Sequence, residues 1–267
     1  MKNNYWVVTN PLSYRITEPI MNAAFEALGF EGIYDSKEVP AEDLESTIEK
    51  LRSGELTGLS VFTPHKGPST SFCDELCEEA KAIGAVNYLQ MKDGKLNGYN
   101  LDWEGAKRAI STGIPDLKGK AILVLGAGGA GRAVAYFAKQ EGADVYLWNR
   151  TPEKAQKFAE EIGVNWVEDL DDLTALPKVI VNATRLSSQD RQRSLVPFFL
   201  WEEVELAMES VCQNTSLFLE EAKAMNVPHL IEGEDWAAHQ MNALLRHIAK
   251  KELSIEAMHE IVHRVLA

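Results

Sequence analysis

Short apolar segments alternate with longer amphipathic segments along most of the 267-residue chain. The short segments have the composition of buried strands, whereas the longer ones repeat apolar residues with the period of an α-helix. This alternation is typical of an α/β fold in which helices cover both faces of a mostly parallel sheet. The pattern predicts strands at 5–9, 32–39, 59–62, 85–91, 95–99, 121–125, 144–148 and 179–182. It predicts helices at 17–28, 42–51, 65–83, 103–112, 132–140, 152–162, 217–225 and 236–266.

A glycine-rich turn after the strand at 121–125 is the most specific local signal. It has the sequence Gly126-Ala127-Gly128-Gly129-Ala130-Gly131 and leads into a predicted helix. The first two glycines of the motif allow a tight turn and close approach to a pyrophosphate, and the third allows helix and strand to pack closely. The helix N-terminus supplies N–H groups for the anion. This context predicts dinucleotide binding, and residues 1–120 are then expected to form a separate domain that carries substrate and catalytic groups.

The end of the next strand predicts which dinucleotide is bound. Asn149, Arg150 and Thr151 stand where a fold that prefers NAD(H) has an Asp or Glu for the ribose hydroxyls. An arginine is a planar, permanently charged donor that suits a 2′-phosphate, so the sequence favours NADP(H). The alternative is that Thr151 and Pro152 only cap and begin the following helix, which leaves the presence of Arg150 unexplained.

Composition narrows the class of protein further. Apolar residues make up 45% of the chain, enough for two cores, and no apolar run approaches the roughly 18 residues of a membrane helix. The net charge of −13 argues against nucleic acid as a partner. The chain starts directly in a predicted strand, and its three cysteines lack metal-ligand spacing. We therefore expect a cytoplasmic protein without metal or membrane partner, either a monomer or a homodimer.

Two strand-to-helix junctions in the first half carry candidate chemistry. Lys66 follows the strand at 59–62, and Asp102 follows the strand at 95–99. Open α/β sheets bind ligands at such strand ends, so both side chains could face one site. A lysine can exchange a proton with a hydroxyl during hydride transfer, and a neighbouring carboxylate can hold it. The alternative is that Asp102 only caps a helix and that Lys66 is an ordinary first-turn lysine.

The whole ordered set of motifs resembles the shikimate dehydrogenase family. The motifs are Asn10-Pro11, Thr63-Pro64-His65-Lys66, Gly84-Ala85-Val86-Asn87, Gly98-Tyr99-Asn100-Leu101-Asp102, the glycine loop, Asn149-Arg150-Thr151, Val181-Asn182-Ala183-Thr184 and Gln240. The resemblance implies NADP-dependent reduction of 3-dehydroshikimate to shikimate in aromatic amino-acid biosynthesis. It also implies an N-terminal α/β substrate domain (1–101 and 237–267) and a C-terminal Rossmann-type NADP-binding domain (102–236), separated by a cleft.

The resemblance also implies roles for individual residues. Lys66 and Asp102 fall on the catalytic pair, and Asn87 and Gln240 fall on substrate-side positions. Arg15, Thr17 and Ser60 fall on further substrate positions. The positions expected to bind the cofactor are Gly126, Ala127, Gly128, Gly129, Ala130, Asn149, Arg150, Thr151, Asn182, Thr184 and Gly233.

Several of these positions depart from the family pattern. Arg15 and Thr17 replace two serines that hold the substrate carboxylate. Ser60 and Phe62 replace an asparagine and a threonine, Leu101 and Tyr88 each replace a threonine, and Ser210 replaces a tyrosine.

Two interpretations of these departures stay open. In one, Arg15 binds a carboxylate bidentately and Tyr14 and Tyr88 supply further donors, so the substrate is the same or a related ring acid. In the other, the pocket is rebuilt for a different ligand, such as quinate or another ring hydroxy-acid. A protein that binds NADP without catalysis is a third possibility.

Overall fold

The structure is a computed structural model that describes residues 3–12, 16–184, 195–212 and 216–267. The strands are β1 Asn3–Thr9, β2 Gly32–Glu38, β3 Gly58–Val61, β4 Glu75–Leu76, β5 Tyr88–Lys92, β6 Lys95–Tyr99, β7 Ala121–Leu125, β8 Asp144–Trp148, β9 Asn165–Val167, β10 Val179–Asn182, β11 Leu206–Glu209 and β12 His229–Ile231. The α-helices are α1 Thr17–Leu28, α2 Leu44–Arg52, α3 Glu78–Ile83, α4 Asp102–Gly113, α5 Gly129–Gln140, α6 Pro152–Ile162, α7 Leu217–Ala224, α8 Gly233–Ala249 and α9 Ile255–Leu266.

The chain divides into two compact units. The first consists of Met1–Asp102 together with Gln240–Ala267, and the second is Trp103–His239. No helix in the described part of the chain is long and apolar enough to cross a membrane.

The first unit contains a six-stranded sheet in the order β2-β1-β3-β5-β6-β4. Strands β1, β2 and β3 are parallel, whereas β5 runs antiparallel to both β3 and β6. One face packs on an apolar cluster that includes Ile48, Leu59 and Leu89. In this arrangement β3 lies between β1 and the β5–β6 hairpin, so the segment after β3 lies close to the ends of the hairpin strands.

A buried aromatic group supports the centre of this first sheet. The ring of Tyr5 stacks on that of Tyr34 at 5.6 Å, and the Tyr34 hydroxyl lies 2.6 Å from Ser60 Oγ. Burial raises the pKa of Tyr5 to about 12. Tyr88 is also buried, and a Cβ atom at Gly58 would lie 2.1 Å from its hydroxyl oxygen. Gly58 is therefore required for the close approach of β3 to Tyr88.

The second unit is a Rossmann-type fold. Its six strands are all parallel, in the order β12-β11-β10-β7-β8-β9. The strand order reverses between β7 and β10, and ligands of such sheets bind outside the carboxyl ends of the strands at this point. Apolar clusters cover both faces, and they include Val124 on one face and Leu123 on the other. These neighbouring residues point to opposite faces, as the pleat of a strand requires.

The single helix predicted over 65–83 is wrong. The chain instead forms a 3₁₀ helix at Pro68–Phe72, the two-residue strand β4 and the short helix α3. Asp74 lies between the 3₁₀ helix and β4, and it accepts hydrogen bonds from Arg52 and from the Leu96 amide. These contacts with distant parts of the sequence place β4 beside β6 and prevent a continuous helix.

Other predicted elements differ in their limits. The long helix predicted at 236–266 is two helices, α8 and α9, because the chain turns at Lys250, whose φ is 56°. Strand β5 starts at Tyr88 rather than residue 85. The sequence pattern also missed the short strands β4, β9, β11 and β12.

Asn242 fixes the connection between α8 and α9. Its side-chain amide donates to Leu253 O at 2.8 Å, and its Oδ1 accepts from Leu253 N at 3.0 Å. Asn242 is buried, so Asn242→Ala leaves both main-chain groups of Leu253 without these partners. We expect the free energy of unfolding to fall by about 1–3 kcal/mol, measured by chemical denaturation. Lys251→Ala, an exposed change in the same connection, is the control, and equal stability of the two variants would contradict this account.

Candidate active site and nucleotide site

Lys66 and Asp102 form an ion pair in the first unit. Lys66 Nζ lies 2.6 Å from Asp102 Oδ2, and the two side chains are 13% and 0% exposed. A fully buried carboxylate is costly unless charged and polar groups compensate for the lost water. Lys66 supplies the positive charge and keeps slight access to solvent.

Two amide side chains complete the surroundings of the Asp102 carboxylate. Asn87 Nδ2 donates to Asp102 Oδ1 at 2.8 Å, and Gln240 Nε2 donates to the same oxygen. Asn87 precedes β5, whereas Gln240 belongs to α8, far along the chain. The carboxylate therefore joins the β3 segment, the β5–β6 hairpin and the C-terminal part of the unit.

The main chain holds these side chains in register. Val86 N donates to Lys66 O at 2.9 Å, and Asn87 N donates to Tyr99 O at 2.8 Å. Asn100, which is buried, accepts from Asp102 N at 3.0 Å through its Oδ1. The spacing between lysine and aspartate is thus fixed by backbone contacts as well as by their own ion pair.

A recess opens beside the ion pair. Its lining residues are Ser60, Phe62, Asn87, Leu101, Gln240, Met241 and Leu244. Lys66 Nζ lies 5.2 Å from the centre of the Phe62 ring. The recess therefore brings an apolar wall close to the charged pair.

The other residues predicted to bind the substrate lie in different surroundings, and not all of them face the recess. Ser60 lines the recess, but its hydroxyl contacts Tyr34. Thr17 is buried at the start of α1. Tyr88 is buried beside Gly58, so it is a core residue, and the expectation that it supplies a donor to the substrate is wrong. Tyr14 and Arg15 lie outside the described residues.

The glycine loop of the second unit has the geometry of a pyrophosphate site. Gly126 has a φ of 111°, and a Cβ atom at Gly131 would lie 1.8 Å from Gly126 O. At Gly128, in contrast, the Cβ position has no neighbour within 4 Å among the described residues that do not adjoin it in the chain. The first and third glycines are therefore required by the protein, whereas the second leaves open space for a ligand.

The start of α5 and the turn after β8 complete this site. Arg132 N makes the first hydrogen bond of α5, to Gly128 O, so the amides of Gly129 and Ala130 carry no intrahelical bond. Asn149 Oδ1 accepts from Ala127 N at 3.1 Å and links the glycine loop to the turn. Arg150 is exposed and makes no ion pair within the described parts of the chain. These groups fit the phosphates of a dinucleotide.

Thr151 has a narrower structural role than its position suggested. It is exposed and precedes Pro152 at the start of α6, but its hydroxyl makes no capping hydrogen bond there. Its carbonyl oxygen accepts from Asn149 Nδ2 at 2.9 Å. The hydroxyl is therefore not needed to cap the helix.

A buried glutamate is the feature that sequence reasoning missed. Glu209 ends β11 and accepts hydrogen bonds from Asn182 Nδ2 at 2.9 Å and from Ser216 Oγ at 2.8 Å. It also accepts from the amides of Ser210 and Val211. Its only sequence signal is a single acidic residue at the end of an apolar segment.

Glu209 orients residues that were expected to contact the cofactor. Asn182 Oδ1 in turn accepts from both the amide and the hydroxyl of Thr184. Gly233 begins α8, and a Cβ atom there would lie 2.3 Å from Val211 O. The carboxyl ends of β10 and β11 are therefore held as one polar network.

These features define the class: an α/β protein whose second unit is a Rossmann-type dinucleotide-binding fold and whose first unit carries a lysine–aspartate pair. A family model for the shikimate dehydrogenase substrate binding domain matches residues 7–89. A second model, for the NAD binding domain of D-isomer specific 2-hydroxyacid dehydrogenases, matches residues 88–194.

Known proteins specify the family. The shikimate dehydrogenase (NADP(+)) of Aquifex aeolicus is 34% identical over 82% of this chain and 81% of its own length. An enzyme of the same name from Thermus thermophilus is 37% identical over 82% of each chain. The crystal structure of shikimate 5-dehydrogenase from Thermus thermophilus in complex with NADP(H) and shikimate covers 98% of this chain and 99% of its own, at 34% identity and a TM-score of 0.88. The chain belongs to the shikimate dehydrogenase family.

Gly128 and Gly131 lie in the same loop but in different surroundings, so substitution of each by alanine gives a matched test of the nucleotide site. Gly131→Ala forces a Cβ atom against Gly126 O, so we expect a loss of stability of about 1–3 kcal/mol or more. Gly128→Ala adds a methyl group in open space, so the fold should keep its melting temperature while NADPH binding weakens at least about tenfold.

Thermal denaturation and fluorescence titration with NADPH separate the two effects. Unchanged NADPH affinity in Gly128→Ala would show that the loop does not approach the pyrophosphate. An unchanged melting temperature in Gly131→Ala would contradict the packing role of the third glycine.

Proposed function

We propose that the protein is an NADP-dependent oxidoreductase that interconverts 3-dehydroshikimate and shikimate. The observation that carries this proposal is the buried Lys66–Asp102 pair, held by Asn87 and Gln240 beside an open recess. Sequence relatives named shikimate dehydrogenase (NADP(+)) and a similar structure with shikimate and NADP(H) bound support the same reaction. An ion pair that served only the stability of the fold would not need a recess beside it.

In the direction of reduction, Lys66 acts as the general acid. Bound NADPH supplies the hydride that reduces the carbonyl carbon. Lys66 Nζ donates a proton to the carbonyl oxygen, which becomes the hydroxyl of the product. The amine then regains a proton from solvent, which its slight exposure permits.

Asp102 acts through its charge and its position. Its carboxylate lies 2.6 Å from Lys66 Nζ and fixes the position of the ammonium. Asn87 and Gln240 hold Oδ1, so Oδ2 is the oxygen that faces the lysine. In oxidation the same groups act in reverse, and Lys66 accepts the proton of the alcohol.

Binding roles follow for the other predicted residues. We assign the substrate carboxylate to Arg15 and Thr17, and further substrate contacts to Ser60, Asn87 and Gln240. The pyrophosphate is assigned to the glycine loop from Gly126 to Ala130, the 2′-phosphate side of the adenosine to Asn149, Arg150 and Thr151, and the nicotinamide side to Asn182, Thr184 and Gly233. The free cysteines Cys73, Cys77 and Cys212 favour a cytoplasmic location.

The role of Lys66 is tested by Lys66→Ala. We expect kcat for 3-dehydroshikimate reduction to fall by about 10²–10⁴, because the general acid is lost. The dissociation constant of NADPH should stay unchanged, because the contacts assigned to its phosphates and adenosine do not include Lys66. Lys81→Ala, an exposed change in α3, is the control.

Assays with shikimate, quinate and related ring acids make this test decisive. Retained turnover in Lys66→Ala would remove the lysine from the mechanism. A wild-type protein that binds NADPH but is inactive with every compound would be a non-catalytic NADP-binding protein instead.

Cofactor preference is tested at Arg150. Arg150→Ala removes the exposed cation next to Asn149, so NADPH should bind about 10- to 100-fold more weakly while NADH binding changes little. Arg264→Ala, at an exposed position in the first unit, serves as the matched arginine control. Equal weakening of NADPH and NADH would contradict the assignment of Arg150 to the 2′-phosphate.

A further inference from the structure

Two buried residues meet at the carboxyl ends of neighbouring strands in the second unit. Asn182 ends β10, Glu209 ends β11, and the two residues are 0% and 1% exposed. Asn182 Nδ2 donates to Glu209 Oε2 at 2.9 Å, and Asn182 Oδ1 accepts from Thr184 N at 3.1 Å. A backbone N–H can only donate and a carboxylate can only accept, so both neighbours require the same orientation of the Asn182 amide.

Glu209 is held in place through both of its oxygens. Its Oε1 accepts from Ser210 N at 2.9 Å and from Val211 N at 3.1 Å. Its Oε2 accepts from Ser216 Oγ at 2.8 Å in addition to Asn182. The carboxylate therefore has a fixed direction, and it fixes the direction of the Asn182 amide in turn.

The orientation of Asn182 determines the polarity of the Thr184 hydroxyl. Thr184 Oγ1 donates to Asn182 Oδ1 at 2.7 Å. A hydroxyl has one hydrogen and two lone pairs, so toward any further partner this hydroxyl acts only as an acceptor. Glu209, Asn182 and Thr184 thus form a hydrogen-bond relay that begins in the buried interior and ends at a partly exposed residue.

The exposed end of the relay borders the glycine loop. Thr184 Cγ2 lies 3.0 Å from the position that a Cβ atom at Gly126 would take. Thr184 follows β10 and Gly126 follows β7, the two strands between which the strand order reverses. Ligands of such sheets bind at this point, so the Thr184 hydroxyl lies where a dinucleotide is expected.

We infer that Glu209 is a positioning residue that makes the Thr184 hydroxyl an acceptor for a hydrogen-bond donor of the dinucleotide. Ionised phosphate oxygens only accept hydrogen bonds, so they are not this partner. The partner is a donor of the nicotinamide riboside half, either a ribose hydroxyl or the N–H of the carboxamide. The inference rests on the proposed function, which assigns Thr184 to the nicotinamide side of NADP(H).

Glu209→Gln tests the relay because it keeps the shape of the side chain and reverses the polarity. The amides of Ser210 and Val211 retain the remaining oxygen, so the new NH₂ group faces Asn182 and the Asn182 amide has to turn. Its Nδ2 then faces Thr184, whose hydroxyl must accept there and points its hydrogen toward the cofactor. We expect NADPH to bind at least about tenfold more weakly, because a donor of the cofactor then meets a donor.

A ligand without nicotinamide riboside separates this effect from general damage to the unit. Binding of adenosine 2′,5′-bisphosphate to Glu209→Gln should stay within about twofold of wild type. Ser216→Ala is the structural control, because it removes one hydrogen bond to Glu209 and leaves the bond to Asn182 in place. It should lower the melting temperature while NADPH affinity stays within about twofold of wild type. Glu202→Gln, an exposed change in the same unit, controls for the loss of charge.

Thr184 tests the other end of the relay. Thr184→Val keeps the shape without the acceptor, so NADPH should bind at least about fivefold more weakly, whereas Thr184→Ser keeps the hydroxyl and should bind within about twofold of wild type. In a protein that already carries Thr184→Val, Glu209→Gln should weaken NADPH binding by no more than about threefold, because both changes act on one interaction. Fully additive losses would overturn the relay.

A cofactor analogue identifies the donor. The reduced 3-acetylpyridine analogue of NADPH lacks the amide N–H. If the carboxamide is the donor, Thr184→Val weakens binding of NADPH and not of the analogue. If a ribose hydroxyl is the donor, it weakens both equally. Either result supports the inference.

The outcomes also separate the inference from the proposed function. Unchanged NADPH affinity in folded Thr184→Val, checked by circular dichroism, overturns the inference, and this test holds even where Glu209→Gln does not fold. Equal weakening of NADPH and adenosine 2′,5′-bisphosphate in Glu209→Gln, or weakening of NADPH to the same extent in Ser216→Ala, overturns it as well. The expected binding losses in a protein that does not reduce 3-dehydroshikimate support the relay and contradict the proposed reaction.

Discussion

The burial of the Asp102 carboxylate is the constraint on which the first unit depends. A carboxylate without solvent contact requires compensating donors, and here they come from three distant parts of the chain. Lys66 follows β3, Asn87 precedes β5, and Gln240 is the first residue of the segment that returns to this unit. The polar centre thus links the C-terminal segment to the first hundred residues.

The same hydrogen bonds orient the Asp102 carboxylate toward Lys66. Because Asn87 and Gln240 hold one carboxylate oxygen, the other is left to face the lysine. The second unit positions its site in a different way. There, Gly126 and Gly131 allow the backbone to pack closely, whereas Gly128 leaves open space. The buried Glu209 fixes the ends of β10 and β11.

Local chemistry explains what could be predicted from sequence. The glycine loop, its strand and its helix follow from nearest neighbours, and Lys66 and Asp102 were expected together because both follow strands that end at one side of a sheet. Short strands such as β4 and β12 are held by partners far along the chain, so no local pattern reveals them. The family resemblance implied that Gln240 belongs to the substrate side of the site, but its contact with Asp102, across 138 residues, was not predicted.

We propose that Asp102 serves proton transfer through Lys66, and Asp102→Asn is the sharpest test of this role. The amide keeps the shape of the side chain but removes its charge. In a single-turnover reduction of 3-dehydroshikimate with saturating NADPH, we expect the variant to react at least about 100-fold more slowly than wild type, with an unchanged NADPH dissociation constant. A folded Asp102→Asn protein that reduces the substrate at the wild-type rate would contradict it.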